Sequence, residues 1–65
     1  MVIVHNVQVY PIFAGHVNAH KVMSERKFTR YEDAIEYVNW YNNPTPYGTI
    51  AVYTGAIDDE TGENL

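Results

Sequence analysis

The absence of cysteine is the strongest constraint on how this chain can fold. Neither a disulfide nor a thiolate metal site can help to hold its 65 residues together. A single apolar core of this size leaves a net stability of only about 3–5 kcal/mol. Folding therefore depends on the 46% of residues that are hydrophobic. We expect one small domain without a deep enzyme cleft.

Three segments have the composition of β-strands. Residues 2–10 are rich in β-branched side chains and predict the first strand. Pro11 cannot donate to a ladder, so we expect the pairing to stop or bulge there. A turn is predicted at residues 14–19, a second strand at 20–28, and a third at 48–57.

The segment between the last two strands predicts a helix. Thr29 stands three residues before Glu32, which is the spacing of a capping box. The sequence Asn42-Asn43-Pro44 ends the helix, because the residue before a proline avoids the helical region. Five residues have the three-four spacing of a buried apolar stripe: Tyr31, Ala34, Ile35, Val38 and Tyr41.

The order β-β-α-β predicts an α+β fold: a three-stranded, at least partly antiparallel sheet with one helix on one face. Residues 1–57 form this domain, and residues 58–65 are an acidic, flexible tail. No apolar run is long enough to span a bilayer, and the N-terminus lacks the basic region of a signal peptide. We expect a cytoplasmic protein without membrane contact, in the host cytoplasm if the chain is viral.

The net charge of −4 argues against direct nucleic-acid binding, which normally uses a basic surface. All four basic residues lie within positions 21–30, and no charged residue occurs from 37 to 57. An alternative is an acidic nucleic-acid mimic, in which the carboxylates of residues 58–65 and of the helix stand in for phosphates.

The predicted helix carries a tryptophan opposite its apolar stripe, at about 100° per residue. Tryptophan and tyrosine are enriched among residues that dominate binding energy at interfaces. We therefore predict that a partner protein binds the helix face around Trp40, with Tyr47 at the margin of this contact surface. In the alternative interpretation, Trp40 covers the loop 43–47 and closes the helix end. We define the acidic-aromatic patch as Asp33, Glu36, Tyr37 and Trp40.

No residue pattern indicates catalysis, a cofactor or a metal. His16 and His20 are four apart and would converge on a metal only in a helix, whereas Gly15 and Asn18 favour a turn. Ser24 has no glycine-framed elbow around it. We expect a protein that is not an enzyme, with no catalytic residue, no cofactor and no metal.

The stretch Asp33-Ala34-Ile35-Glu36 through Trp40, followed by a proline-containing loop and a strand, resembles a known family. With the chain length and element order, it is similar to the very small inhibitors of bacterial RNA polymerase encoded by lytic coliphages. The resemblance implies a compact phage protein that blocks a host protein, such as RNA polymerase, by surface contact. That family grips the polymerase with arginines on its last strand, whereas residues 48–57 contain none, so no contact residue carries over.

Two classes of function follow. The leading hypothesis is a small non-enzymatic protein-binding module, in its specific form a phage-encoded inhibitor of a host protein. The alternative is a self-assembling structural protein that pairs through sheet edges as a homodimer, with Val2 and Val4 at the interface.

Overall fold

The computed structural model describes residues 1–43 and 48–65. It confirms a small α+β fold with an antiparallel sheet and one helix. The sheet has four strands rather than three, because a two-residue strand follows the first turn. The elements are β1 (Ile3–Phe13), β2 (His16–Val17), β3 (Ser24–Phe28), α1 (Tyr31–Tyr41) and β4 (Thr49–Asp58).

The first strand is the centre of the sheet. β1 pairs with β3 through residues 5–9 and with β4 through residues 3–11, so these two strands lie on opposite sides of it. Both pairings are antiparallel, as is the short pairing of β2 with the end of β1. β1 is therefore held by hydrogen bonds along both of its edges.

The residue pairing between β1 and β4 ends at Pro11, as expected, but the strand itself does not end there. The Pro11 carbonyl accepts a hydrogen bond from the Asn18 N–H at 2.9 Å, and the Ile12 N–H donates to the Gly48 carbonyl at 2.8 Å. These neighbouring groups bond to both sides of the strand, so the missing proline N–H does not interrupt it. β1 continues for two residues beyond the proline.

The core lies between the sheet and α1. Strand alternation directs Val7 and Val9 of β1 toward the helix, where they pack with Ala51 of β4 and with Ala34. Ala34 is completely buried, and both alanines lie in this contact. Larger, partly buried side chains surround the cluster: Phe28, Tyr37, Val38, Tyr41 and Tyr53.

The start of α1 differs from the sequence-based expectation. The N-cap is Arg30, with φ −121° and ψ 135°, and no side chain caps it. The capping box predicted at Thr29 is therefore wrong, because the helix begins one residue too late for Thr29 to be the N-cap. Glu32 and Asp33 lie in the first turn, where negative charge is favourable to the helix dipole.

Pairing between β1 and β4 shifts by one residue between Asn6 and Val7. Thr54 is the extra residue, and Gly55 next to it has φ +122°, a value that L side chains rarely adopt. The Thr54 hydroxyl accepts from Asn6 Nδ2 and donates to the Asn6 carbonyl, both at 3.1 Å. The bulge therefore supplies one hydrogen bond to the buried Asn6 side chain and one to the Asn6 backbone.

The outer edge of β4 is partly covered. The Asn42 side chain donates to the Ala51 carbonyl at 2.8 Å and accepts from the Ala51 N–H at 3.0 Å. This amide thus takes the place of a neighbouring strand at that residue. Further along, the Leu65 N–H donates to the Ala56 carbonyl, and Asn64 forms a bridge with Ile57.

The segment 58–65 folds back on β4. Besides these contacts, the Asp58 N–H donates to the Glu63 carbonyl and the Gly62 N–H donates to the Asp58 carbonyl. The segment therefore forms a hydrogen-bonded turn in this structure, and its flexibility in solution stays a prediction. Within residues 1–43 and 48–65, no helix is long and apolar enough to span a bilayer.

The turn between β1 and β2 contains a strained residue. Phe13 pairs with His16, so Ala14 and Gly15 form a two-residue hairpin loop. Their φ angles are +53° and +81°, the signs of a type I′ turn. Glycine adopts this conformation freely, whereas an L residue with a Cβ loses about 1–2 kcal/mol there.

Replacing Ala14 by asparagine is expected to stabilise the protein by about 0.5–1 kcal/mol, because Asn-Gly is among the most favourable type I′ sequences. Chemical unfolding followed by circular dichroism measures the gain. The control is Ala19→Asn, because Ala19 is also an exposed alanine in a turn. Among the described residues, Ala14 is the one non-glycine residue with a positive φ angle, so only the change at Ala14 should relieve strain. Equal effects of the two changes would contradict the strained turn.

Candidate functional site

The acidic-aromatic patch lines one surface pocket. All four of its residues surround a shallow, open cavity of about 350 Å³ on α1. The spacing of the four along the helix places them on one face, because residues three and four apart are neighbours. The fifth predicted residue, Tyr47, lies outside the described residues.

Trp40 is strongly exposed where it lines the pocket. Its side chain is 72% exposed, so the indole lies in solvent as the sequence predicts. This exposure argues against the alternative in which the indole closes the helix end, although residues 44–47 of that loop lie outside the described part of the chain. An indole exposed to this degree is a large apolar surface that is open to solvent.

Tyr37 connects the pocket to the core. Its ring lies 5.9 Å from the Trp40 ring, with an interplanar angle of 33°, and 5.4 Å from the Phe28 ring. The sequence placed Tyr37 on the polar face with Trp40, but the ring is partly buried and also packs against the core cluster. Tyr37 is therefore held in place by packing within the fold.

Tyr31 is less buried than its position in the predicted stripe indicates. It is 50% exposed, and its ring packs edge-on against His5 at 5.8 Å and Tyr53 at 5.4 Å. These contacts place it at the margin of the core, at the start of α1.

An arginine that the sequence analysis did not single out holds Tyr37 from the sheet side. The Arg26 guanidinium on β3 lies 5.0 Å from the Tyr37 ring centre and 5.3 Å from that of Phe28. Both distances are within the range of cation–π attraction. The contact depends on the pairing of Arg26 with Val7, which brings β3 beneath this part of the helix.

The pocket carboxylates are not neutralised by ion pairs. In the part of the chain that the structure describes, the salt bridges are Lys27–Asp59, Arg30–Glu32, and the N-terminal amine with Glu60. None of these involves Asp33 or Glu36, and both side chains are exposed. The pocket therefore combines an apolar aromatic wall with two free negative charges.

A second polar cluster lies on the sheet face that α1 does not cover. The Glu25 carboxylate accepts hydrogen bonds from Gln8 Nε2 at 2.8 Å and from Asn6 Nδ2 at 3.3 Å. The bond from Gln8 is the main cause that lowers the pKa of Glu25, followed by the bond from Asn6. Because these donors prefer the ionised carboxylate, this cluster links β1 and β3 in a pH-dependent way.

Replacing Glu25 by glutamine is expected to lower stability slightly at neutral pH, by less than about 1 kcal/mol because the carboxylate is exposed. A lowered folded-state pKa stabilises the protein above the unfolded-state pKa, and this stabilisation is lost as pH falls through the folded value. The difference between wild type and variant should therefore shrink below about pH 4.5. Urea unfolding at several pH values measures it, and a constant difference would contradict the cluster.

The histidines do not come together with other metal ligands. Among the described residues, no group of three or more His, Cys, Asp or Glu side chains could hold a metal ion. His16 lies in β2 and His20 in the turn that follows, where the His20 N–H donates to Asn18 Oδ1. The geometry of this region is thus explained by turn formation.

Comparison with known proteins identifies no relative. No protein-family model, no curated protein and no solved structure matches the chain. The functional argument therefore rests on the geometry and charge of the pocket.

Proposed function

We propose that this protein is a small, non-enzymatic protein-binding module whose contact site is the acidic-aromatic patch. The observation that carries the proposal is the 72% exposure of Trp40 at the edge of a pocket. Tryptophan and tyrosine are the side chains most often responsible for binding energy at interfaces. Tyr37 is already fixed by Phe28 and Arg26, so little side-chain entropy is lost at this ring on binding.

The specific form of the proposal is a phage-encoded inhibitor that acts on a host protein, such as RNA polymerase, in the host cytoplasm. It is supported by the resemblance of residues 33–40 and the following strand to the coliphage inhibitors. The arginines of that family are absent from β4, so the contact here would be made by the helix instead. Inhibition would follow from steric or electrostatic obstruction of the partner surface.

The acidic nucleic-acid mimic is less well supported, because several acids of residues 58–65 have partners within the fold. Asp59 pairs with Lys27 at 3.1 Å, Glu60 pairs with the N-terminal amine at 3.4 Å, and Asp58 Oδ1 accepts from the Val2 N–H. A phosphate mimic needs carboxylates that are free to face a nucleic-acid-binding surface.

Self-assembly through sheet edges is also less well supported. The version with Val2 and Val4 at an edge interface loses support, because Val4 is buried within the chain and lies on the central strand. The outer edge of β4 is occupied at Ala51 by Asn42 and at Ala56 by Leu65. The edge strand β3 carries Glu25, Arg26 and Lys27, and such charges discourage pairing between copies.

The test begins with capture of partners from bacterial lysate, followed by mass identification and a binding titration with the purified partner. Trp40→Ala is expected to weaken binding by about tenfold or more, as truncation of an interface hot spot does. Phe13→Ala is the control, since Phe13 is 82% exposed near the first turn, far from α1 in sequence. Equal affinity of wild type and Trp40→Ala, or no captured partner, would overturn the proposal.

A further inference from the structure

The pocket has an unusual combination of lining groups. Among the described residues that line it, two are aromatic and two are carboxylates, and Asp33 and Glu36 form no ion pair in that part of the chain. A purely apolar occupant would leave both carboxylates facing its surface and remove part of their hydration, which is unfavourable. A neutral occupant therefore fits the aromatic side of the pocket but not its acidic side.

We propose that the occupant is an arginine side chain of the partner protein; this deepens, and rests on, the proposed function. A guanidinium is planar and weakly hydrated, so it stacks on aromatic rings while it donates hydrogen bonds to carboxylates. The Trp40 and Tyr37 rings supply the aromatic surface, and the carboxylates of Asp33 and Glu36 supply the acceptors.

The protein itself shows that its aromatic rings accept this chemistry. Arg26 places its guanidinium over Tyr37 and over Phe28, at 5.0 and 5.3 Å. Arg26 is not among the residues that line the pocket, so its side chain does not fill the cavity. The cavity next to this pair is large enough for a second guanidinium, and its own carboxylates offset the repulsion between the two cations.

The first experiment measures whether the pocket recognises the charge. The protein contains one tryptophan, so its indole N–H gives a single NMR signal that reports on the pocket. The probes are the blocked tripeptides Gly-Arg-Gly and Gly-citrulline-Gly, because citrulline has the shape of arginine without the charge. We expect a saturable shift with the arginine peptide at about millimolar concentration, weakened by salt, and a much smaller shift with the citrulline peptide.

The double variant Asp33→Asn, Glu36→Gln is expected to weaken binding of the arginine peptide by about tenfold. Glu32→Gln is the matched control on the same helix, because Glu32 does not line the pocket, and it should leave the affinity almost unchanged. Equal shifts with the two peptides, no saturable shift with arginine, or unchanged affinity of the double variant would each overturn the arginine proposal.

The same variants separate this proposal from the proposed function. If Trp40→Ala abolishes binding to the purified partner but the double variant binds normally, the patch is the contact site and the arginine proposal is wrong. If Trp40→Ala binds normally, the contact site itself is wrong. The proposal expects that Trp40→Ala and the double variant both lose binding to the purified partner. Added salt should not restore binding in either variant.

Discussion

Replacing Asn42 by alanine is expected to lower the midpoint of thermal unfolding by on the order of 10–20 °C. The side-chain amide pairs with both backbone groups of Ala51, a residue of the core cluster that is almost fully buried. Removing the amide leaves a donor and an acceptor without their partner, at about 1–3 kcal/mol for a buried group. Because these groups are partly buried, we expect a total loss of about 2–3 kcal/mol, a large part of the stability of so small a domain.

Asn43→Ala is the matched control for this prediction. Asn43 is the next residue in the chain and is exposed, so its replacement should change stability by less than about 0.5 kcal/mol. Asn42→Asp adds a second comparison, because aspartate keeps an acceptor for the Ala51 N–H but places a charged oxygen against the Ala51 carbonyl. Equal unfolding midpoints for the Asn42→Ala and Asn43→Ala variants would contradict the pairing of the amide with β4.

The sequence predicts the elements of this fold better than the contacts between them. The helix, β1 and β4 follow from local periodicity and from β-branched composition, which are properties of neighbouring residues. Of the second predicted strand, at residues 20–28, only Ser24–Phe28 forms a strand, and this segment has no β-branched residue. Asn42 and Asn43 are both typical of the end of a helix. Nothing in the local sequence shows that it is the Asn42 side chain that bonds to β4. That distinction depends on the path of the chain after the helix, which is a tertiary property.

The candidate site shows the same division. Asp33, Glu36, Tyr37 and Trp40 could be placed together from the sequence, because their spacing alone puts them on one helix face. The contact of Arg26 with the Tyr37 ring could not be predicted from the sequence, because it depends on the register between β3 and β1. The two-residue strand β2 was missed because it is shorter than any periodic pattern, although Gly15 correctly indicated the turn before it.

Replacing Ala34 by leucine is expected to destabilise the protein by about 1–3 kcal/mol, the usual cost of additional methylenes in a packed core. Ala34 is completely buried where α1 contacts Val7, Val9 and Ala51, so a longer side chain must push the helix away from the sheet. Thermal unfolding measures the loss, and Asn39→Leu, at an exposed position of the same helix, should change stability by less than about 0.5 kcal/mol.

The outcome at Ala34 also decides the orientation of the pocket. Ala34 lies beside Asp33 on α1, and its inward direction fixes the rotation of the helix about its axis. With Ala34 against the sheet, the helical repeat turns Asp33, Glu36 and Trp40 toward solvent. An unchanged unfolding midpoint for Ala34→Leu would mean that the helix does not rest on the sheet through this residue, and the exposed face of α1 would then be a different one.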